Sequence, residues 1–173
     1  MKSFELMFEE AGSNEIEYKG KKIFRFYKFE RIGKFRLQFK FVETNSPFGQ
    51  GIAIGFTSYS GPIYVNGKKR EMARKVFKDI YMIQEAYPDG FYIDVKISND
   101  NEFITVKNCS DSLKTGNLYG SLREGRAMYI EQIGENKLRF YCNDHEIDDD
   151  FDDLIFDMEI MESDSFDVVE VIS

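Results

Sequence analysis

The sequence predicts a single α+β domain over residues 1–173, built on an antiparallel sheet with one main helix. Three hairpin signals and one run with helical periodicity support this prediction. The chain has 173 residues, of which 42% are hydrophobic, so it can bury a core without help from disulfides or metals. No internal repeat and no Pro/Ser/Gly linker divides the sequence, which indicates one domain.

The first half of the chain predicts strands and turns. Alternation over residues 4–9 suggests a first strand, and residues 15–30 suggest a hairpin that turns near Gly20. Phenylalanine or leucine then alternates with basic or polar residues over residues 34–41, which predicts an amphipathic strand with a basic outer face. A short buried strand is expected at residues 51–56, between loops rich in glycine and proline.

The main helix is predicted at about residues 68–86. Its apolar residues share one stripe at helical spacing, and Tyr87-Pro88-Asp89-Gly90 supplies the signals expected just beyond a helix C-terminus. The stripe consists of Met72, Ala73, Val76, Phe77, Ile80 and Tyr81.

The second half predicts two more hairpins. Residues 91–97 alternate strictly and lead through Asn99-Asp100-Asn101 into residues 103–106. Residues 127–133 and 138–142 flank the turn signal Gly134-Glu135-Asn136 and are expected to pair.

Charge is divided unevenly along the chain. Residues 144–173 contain thirteen Asp or Glu and no Lys or Arg, whereas residues 1–80 contain sixteen Lys or Arg and nine acids. The net charge of −8 therefore combines a basic first half with an acidic end. A concentrated acidic surface is a physical reason to expect a basic partner.

The acidic end also carries enough apolar residues to fold. One set of them has helical spacing, which predicts an acidic C-terminal helix with aspartates near the positive end of its dipole. Another set alternates and fits a strand equally well, so the element type stays open. The helical set is Phe151, Leu154, Ile155, Met158 and Met161, and the alternating set is Leu154, Phe156, Met158 and Ile160.

These acids predict a protein that is not an enzyme and that binds a basic protein partner. Carboxylates would steer the encounter and pair with Lys or Arg of a toxin or nucleic-acid-binding protein, and so occlude its basic surface. The same acidity disfavours direct binding to duplex DNA or to an anionic membrane. The aspartates are free for this role only where the basic first half does not already pair with them. The predicted partner-binding residues are Asp148, Asp149, Asp150, Asp152, Asp153 and Asp157.

No catalytic residue is predicted. His145 is the only histidine, and the acids beside it favour its protonated form. It could form a nucleophile pair with Cys142, but residues three apart on a strand or turn usually face different ways. The alternatives are a carboxylate-dependent hydrolase with acids in a cleft near residues 43–62, or a scaffold domain whose acidic face only keeps it soluble.

No metal or cofactor site is predicted either. Asp148, Asp150 and Asp152 have the spacing of the first ligands of a calcium loop, but Asp153 stands where that loop needs glycine. Residues 49–55 place their third glycine one residue late for a dinucleotide-binding loop.

Aromatic and basic residues interleave over residues 19–41, a composition that suits stacking of RNA bases. In the strand at residues 35–41, however, the rings and the charges alternate onto opposite faces. The pattern therefore favours core aromatics beneath a solvated basic face, with direct nucleic-acid binding as the minor alternative.

The expected compartment is the cytoplasm. The two cysteines, Cys109 and Cys142, do not form a Cys-x-x-Cys pair, and their number is too small for a disulfide-dependent secreted scaffold. The N-terminus lacks the apolar core of a signal peptide, and no apolar run approaches the roughly 18 residues that would span a bilayer.

A small, acidic, single-domain chain with few motifs resembles the immunity proteins that neutralise bacterial toxins. The order of a tyrosine-rich strand at residues 91–97, the turn Tyr119-Gly120 and the Lys-Leu-Arg-Phe strand at residues 137–140 is similar as well. This resemblance implies a protein-binding inhibitor, carries over no functional residue, and is shared by anti-defence inhibitors made by phages.

Overall fold

The computed structural model describes residues 1–70, 79–111, 118–119 and 125–162 of the chain. These residues form one helix and fourteen strands, and all the strand pairs among them are antiparallel. The elements are α1 Phe4–Ala11, β1 Glu15–Tyr18, β2 Lys21–Phe24, β3 Tyr27–Phe29, β4 Gly33–Thr44, β5 Gln50–Thr57, β6 Tyr64–Val65, β7 Lys68–Lys69, β8 Asp79–Ile83, β9 Phe91–Ile97, β10 Phe103–Asp111, β11 Leu118–Tyr119, β12 Ala127–Gly134, β13 Lys137–Asn143 and β14 Leu154–Glu162.

The α+β prediction is therefore wrong, because the described chain is a β-rich fold. The main helix predicted at 68–86 is replaced by β7 at its start and by β8 at residues 79–83, while residues 71–78 lie outside the described part. The side chains of Ile80 and Met82 point into the core and that of Tyr81 is exposed. These residues therefore have the alternation of a strand and do not share one helical face. Pairing of β8 with the buried β5 overrides the local periodicity.

The strands form two sheets that share one hydrophobic core, as in a β-sandwich. The nine-stranded sheet has the order β1-β2-β12-β13-β14-β4-β9-β6-β7. The five-stranded sheet has the order β11-β10-β5-β8, and β3 also pairs with β10. The predicted basic strand is confirmed as β4, whose Phe35, Leu37 and Phe39 point into the core.

The hairpin predicted over residues 127–142 is confirmed, and the one predicted over residues 15–30 is confirmed only for residues 15–24, because Tyr27–Phe29 forms β3 of the smaller sheet. β1 and β2 pair across Lys19-Gly20, whose positive φ angles of 48° and 81° suit a tight hairpin turn. β12 and β13 pair as expected. The hairpin predicted over residues 91–106 is wrong in its pairing, because β9 lies beside β4 in the larger sheet and β10 lies beside β5 in the smaller one. The intervening turn connects the two sheets.

The acidic end enters the fold as a strand. β14 lies between β13 and β4, the fifth of nine strands in the larger sheet, so the predicted acidic C-terminal helix is wrong for residues 154–162. Both edges of β14 are hydrogen-bonded to neighbours, and its alternating apolar set faces the core. Residues 163–173 lie outside the described part of the chain.

Basic and acidic segments meet across these central strands. Asp157 of β14 lies opposite Arg139 of β13 on one side and Lys40 of β4 on the other. Arg139 donates two hydrogen bonds to the Asp157 carboxylate, at 2.7 and 3.0 Å, and Asp157 is buried. Glu159 lies opposite Lys137. The charge split of the sequence is therefore partly neutralised inside the sheet.

The N-terminal segment is a helix, so the strand predicted over residues 4–9 is wrong. Ser3 caps α1 by accepting a hydrogen bond from the Leu6 amide, and Gly12 ends it in the left-handed region. Phe4 and Phe8, four residues apart, bury their rings with Ile23, Ala127 and Phe151 in a second apolar cluster. Among the described residues, no helix has the length and apolar character needed to cross a membrane.

Replacing Phe156 by alanine should lower the free energy of unfolding by about 3–5 kcal/mol. Its side chain is fully buried in β14, and its ring stacks on Phe140 with the centroids 4.5 Å apart. Met161→Ala is the control, because Met161 lies on the helical stripe but is only half-buried in the strand. Urea denaturation should show a loss below about 2 kcal/mol for this control. A larger loss for Met161→Ala than for Phe156→Ala would contradict the strand assignment.

Candidate functional site

The candidate site is the acidic turn, defined here as residues 144–153, which connects β13 to β14. These strands are antiparallel neighbours, so the turn must return the chain over one end of the larger sheet. Because Cys142 pairs with Leu154 in the register of the two strands, the whole turn is held at that end.

Asn143 fixes the shape of the turn from the last residue of β13. Its side chain is buried, and its Oδ1 accepts a hydrogen bond from the Phe151 amide at 3.0 Å. Its Nδ2 donates to the carbonyl oxygens of Asp148 and Gly125. One amide side chain thus ties together both arms of the turn and the start of β12.

Phe151 anchors the turn to the second apolar cluster. Its ring lies 5.4 Å from that of Phe4 and 5.5 Å from that of Tyr129, centroid to centroid. Its φ of 52° lies in the left-handed region, which costs roughly 1–2 kcal/mol for a residue with a side chain. Burial of the ring, worth about 1.5–3 kcal/mol, offsets that cost.

Asp153 is held in place at the end of the turn. It is only 5% exposed, and its Oδ2 accepts a hydrogen bond from the Asp144 amide at 2.9 Å. Asp144 in turn accepts a 2.6 Å hydrogen bond from the Ser46 hydroxyl, and the Asn45 amide donates to the Asp153 carbonyl. The loop after β4 thereby braces the acidic turn.

Two of the six predicted partner-binding aspartates are paired with a basic residue of the protein itself. Asp149 accepts hydrogen bonds from Lys19 Nζ and from the Tyr18 hydroxyl, both at 2.8 Å. Asp157 lies outside the turn, buried against Arg139. Both pairs join residues that are far apart in the sequence or lie on different strands, so spacing alone could not reveal them.

The other four predicted aspartates form no ion pair with any Lys or Arg among the described residues. Carboxylate oxygens of Asp148, Asp150 and Asp153 all lie within 4.8 Å of one another. Asp150 is exposed and Asp152 is half-buried. The structure therefore concentrates negative charge in the turn.

Burial, together with repulsion from neighbouring carboxylates, raises the pKa values of Asp148 and Asp153. Burial is the main cause that raises the pKa of Asp153 to about 7, with Asp144, Asp150 and Asp148 adding repulsion. Burial and then Asp150 raise the pKa of Asp148 to about 6. Lys19 and Tyr18, by contrast, lower the pKa of Asp149. The pKa values of Asp148 and Asp153 are thus shifted in the opposite direction to that of Asp149, which pairs with Lys19.

The residues that could hold a metal ion are Asp148, Asp150 and Asp153 rather than the set with calcium-loop spacing. Their oxygens suit a hard cation, and Ca²⁺ takes roughly six to eight oxygen ligands, so backbone oxygens or water would have to complete the coordination of such an ion.

His145 does not pair with Cys142. The Cys142 thiol is fully buried and its pKa is raised well above the ordinary value, chiefly by burial. His145 Nδ1 lies 2.8 Å from the hydroxyl of Ser110, which the sequence did not single out. Arg126 Nη2 donates to the same hydroxyl at 2.9 Å, and Ser110 is fully buried. This hydroxyl links His145 to Arg126 at the end of the larger sheet that carries the acidic turn.

The chain matches no protein-family model, no curated protein and no solved structure.

Asp153→Asn should stabilise the protein at about pH 8 and have a smaller or opposite effect near pH 4. The raised pKa means that the folded state holds the Asp153 proton more tightly than the unfolded chain does, so its stabilising contribution is present below the unfolded pKa and lost as the pH rises through about 7. Asparagine keeps an oxygen for the Asp144 amide but removes the charge. Thermal unfolding midpoints at the two pH values measure the effect.

Asp149→Asn is the matched control and should act in the opposite direction. The lowered pKa of Asp149 contributes stability above its unfolded pKa, so its neutralisation should lower the midpoint at about pH 8. Equal destabilisation by Asp153→Asn at both pH values would contradict the account of the cluster.

Proposed function

We propose that this is a non-enzymatic binding protein whose acidic turn receives a Lys or Arg side chain of a basic protein partner. The observation that carries the proposal is that Asp148, Asp150 and Asp153 lie within 4.8 Å of one another and pair with no Lys or Arg of the described residues. Aspartates that did find internal partners, Asp149 and Asp157, are left out of the proposed surface.

A cation from a partner would relieve the electrostatic repulsion between these carboxylates. Like charges in a partly buried site repel, and an ammonium or guanidinium group placed between them replaces repulsion by charge-assisted hydrogen bonds. Such a group would lower the pKa values of Asp148 and Asp153, so that binding would release protons near neutral pH. The raised pKa values therefore favour a cationic ligand.

An apolar neighbour supports a protein partner over a free ion. Ile147 belongs to the same turn and is 44% exposed. Protein interfaces commonly combine an apolar contact with charged pairs, and the apolar contact excludes water around the pairs. The partner class we propose is a toxin or another nucleic-acid-binding protein, whose basic surface the bound turn would occlude.

We also propose a cytoplasmic location. Cys109 and Cys142 are both free and buried, which suits a compartment where thiols stay reduced.

The carboxylate-dependent hydrolase is the second candidate, because raised pKa values are also found in active sites. A cavity of about 1030 Å³ in the described part of the chain, however, is lined by none of Asp148, Asp150 and Asp153. Binding of a cationic side chain accounts better for the geometry.

The triple variant Asp148→Asn, Asp150→Asn and Asp153→Asn should lose the basic partner in affinity capture from the native host at low and higher salt. Its matched control is Asp100→Asn, Glu131→Gln and Glu135→Gln, which makes the same charge change at exposed acids in turns and strands away from the acidic turn. Mass spectrometry identifies the captured proteins. Equal capture by both triple variants would overturn the proposal and leave a solubilising acidic face.

The affinity for the captured partner should rise between about pH 6 and pH 8. Asp148 and Asp153 must lose their protons before they pair with a cation, and their pKa values lie at about 6 and about 7. Isothermal titration with the purified partner measures this change, and Asp153→Asn should flatten it. An affinity that falls over this range in the wild-type protein would contradict the proposal.

A further inference from the structure

A second site lies where the chain passes from one sheet to the other. Phe24 ends β2 in the nine-stranded sheet, and Tyr27 begins β3, which pairs with β10 of the five-stranded sheet. β2 meets β12 through a single residue pair, Met128 with Phe24. β2 and β12 form no further residue pair. At this crossing lies a cavity of about 1030 Å³, and we call this cavity the aromatic pocket.

The walls of the aromatic pocket are rings that remain half-buried. Its floor is formed by Ile130 and Leu138, which pack against the main core. An aromatic side chain that is neither in the core nor fully solvated keeps part of its face available to a ligand. The half-buried rings that line the pocket are those of Phe24, Phe26, Tyr27, Phe103 and Tyr129.

Lysines surround these rings. Lys21 Nζ lies 4.1 Å from the centroid of the Tyr129 ring, and Lys28 Nζ lies 4.3 Å from that of Phe103. Lys22 is a third lining lysine, and all three are exposed. Of the three, Lys21 forms no ion pair among the described residues, whereas Lys22 pairs with Glu15, which also lines the pocket, and Lys28 pairs with Glu30.

The polar groups of the lining are suited to the edges of a flat ligand. Asn14 and Gln132 contribute amides, and Ser13 contributes a hydroxyl. A ligand that matches this lining has a planar aromatic part for the rings, hydrogen-bonding edges for the amides, and an anionic group for the ammonium ions. A nucleoside phosphate has all three features.

We propose that the aromatic pocket binds a nucleoside phosphate as a small molecule. Its base would pack against the rings of Phe24, Phe26 and Tyr27, and its phosphate would lie beside Lys21 and Lys28. The net charge of −8 makes the whole protein a poor partner for a long polyanion. A mononucleotide places its charge at the lysines alone.

The test is isothermal titration of the full chain with AMP and ATP, compared with adenosine, inorganic phosphate and a single-stranded oligoadenylate. The nucleotides should bind with micromolar to low millimolar affinity, and adenosine or phosphate alone should bind about tenfold more weakly or worse, since each lacks one half of the match. A Kd for the oligoadenylate that is tighter than that for the nucleotides would replace the small-molecule proposal by single-strand binding.

Variants assign the binding to this pocket. Phe26→Leu should raise the Kd for the nucleotides about tenfold by removing a stacking surface. Lys21→Met should weaken the binding of AMP and leave the Kd for adenosine nearly unchanged. Lys68→Met, at an exposed lysine of β7, is the control and should bind as the wild type does. Absence of nucleotide binding at low millimolar concentrations, or unchanged binding in both pocket variants, would overturn the proposal. The Asp148, Asp150 and Asp153 triple variant should retain nucleotide binding. Each of the two proposed sites can therefore be refuted without refuting the other.

Discussion

The position of β14 between β13 and β4 constrains much of the described fold. A central strand needs an apolar face toward the core and neighbours that tolerate its other face. Phe156, Met158 and Ile160 meet the first need, and the ion pair of Asp157 with Arg139 meets the second. The basic residues of the first half and the acids of the last third are therefore parts of one sheet, and the charge split does not by itself mark a functional face.

The same constraint creates the acidic turn. Because β13 and β14 are neighbours, residues 144–153 must fold back over the end of the sheet, where Asn143 and Phe151 fix them. Asp149 pairs with Lys19, but Asp148, Asp150 and Asp153 lie together and form no ion pair with a described Lys or Arg. Burial, with repulsion from neighbouring carboxylates, raises the pKa values of Asp148 and Asp153, a cost that a cationic partner would offset.

Local patterns predicted the elements whose neighbours are close in sequence. Strict alternation located β4, and glycine-containing turns located the β1–β2 and β12–β13 hairpins. The prediction of the main helix was wrong because the last residues of its apolar stripe pair with β5, a contact that no local pattern encodes. The candidate site was predicted as an acidic segment, but the partners of Asp149 and the rings that form the aromatic pocket come from distant parts of the chain.

Titration of the individual aspartate carboxyl groups by carbon-13 NMR tests most directly whether the turn holds uncompensated charge. Asp153 should titrate with a pKa of about 7 and Asp148 with a pKa of about 6, whereas the pKa of Asp149 should lie below 3.8, the ordinary aspartate value. Titration of Asp148 and Asp153 at or below 3.8 would show instead that their charges are compensated within the protein.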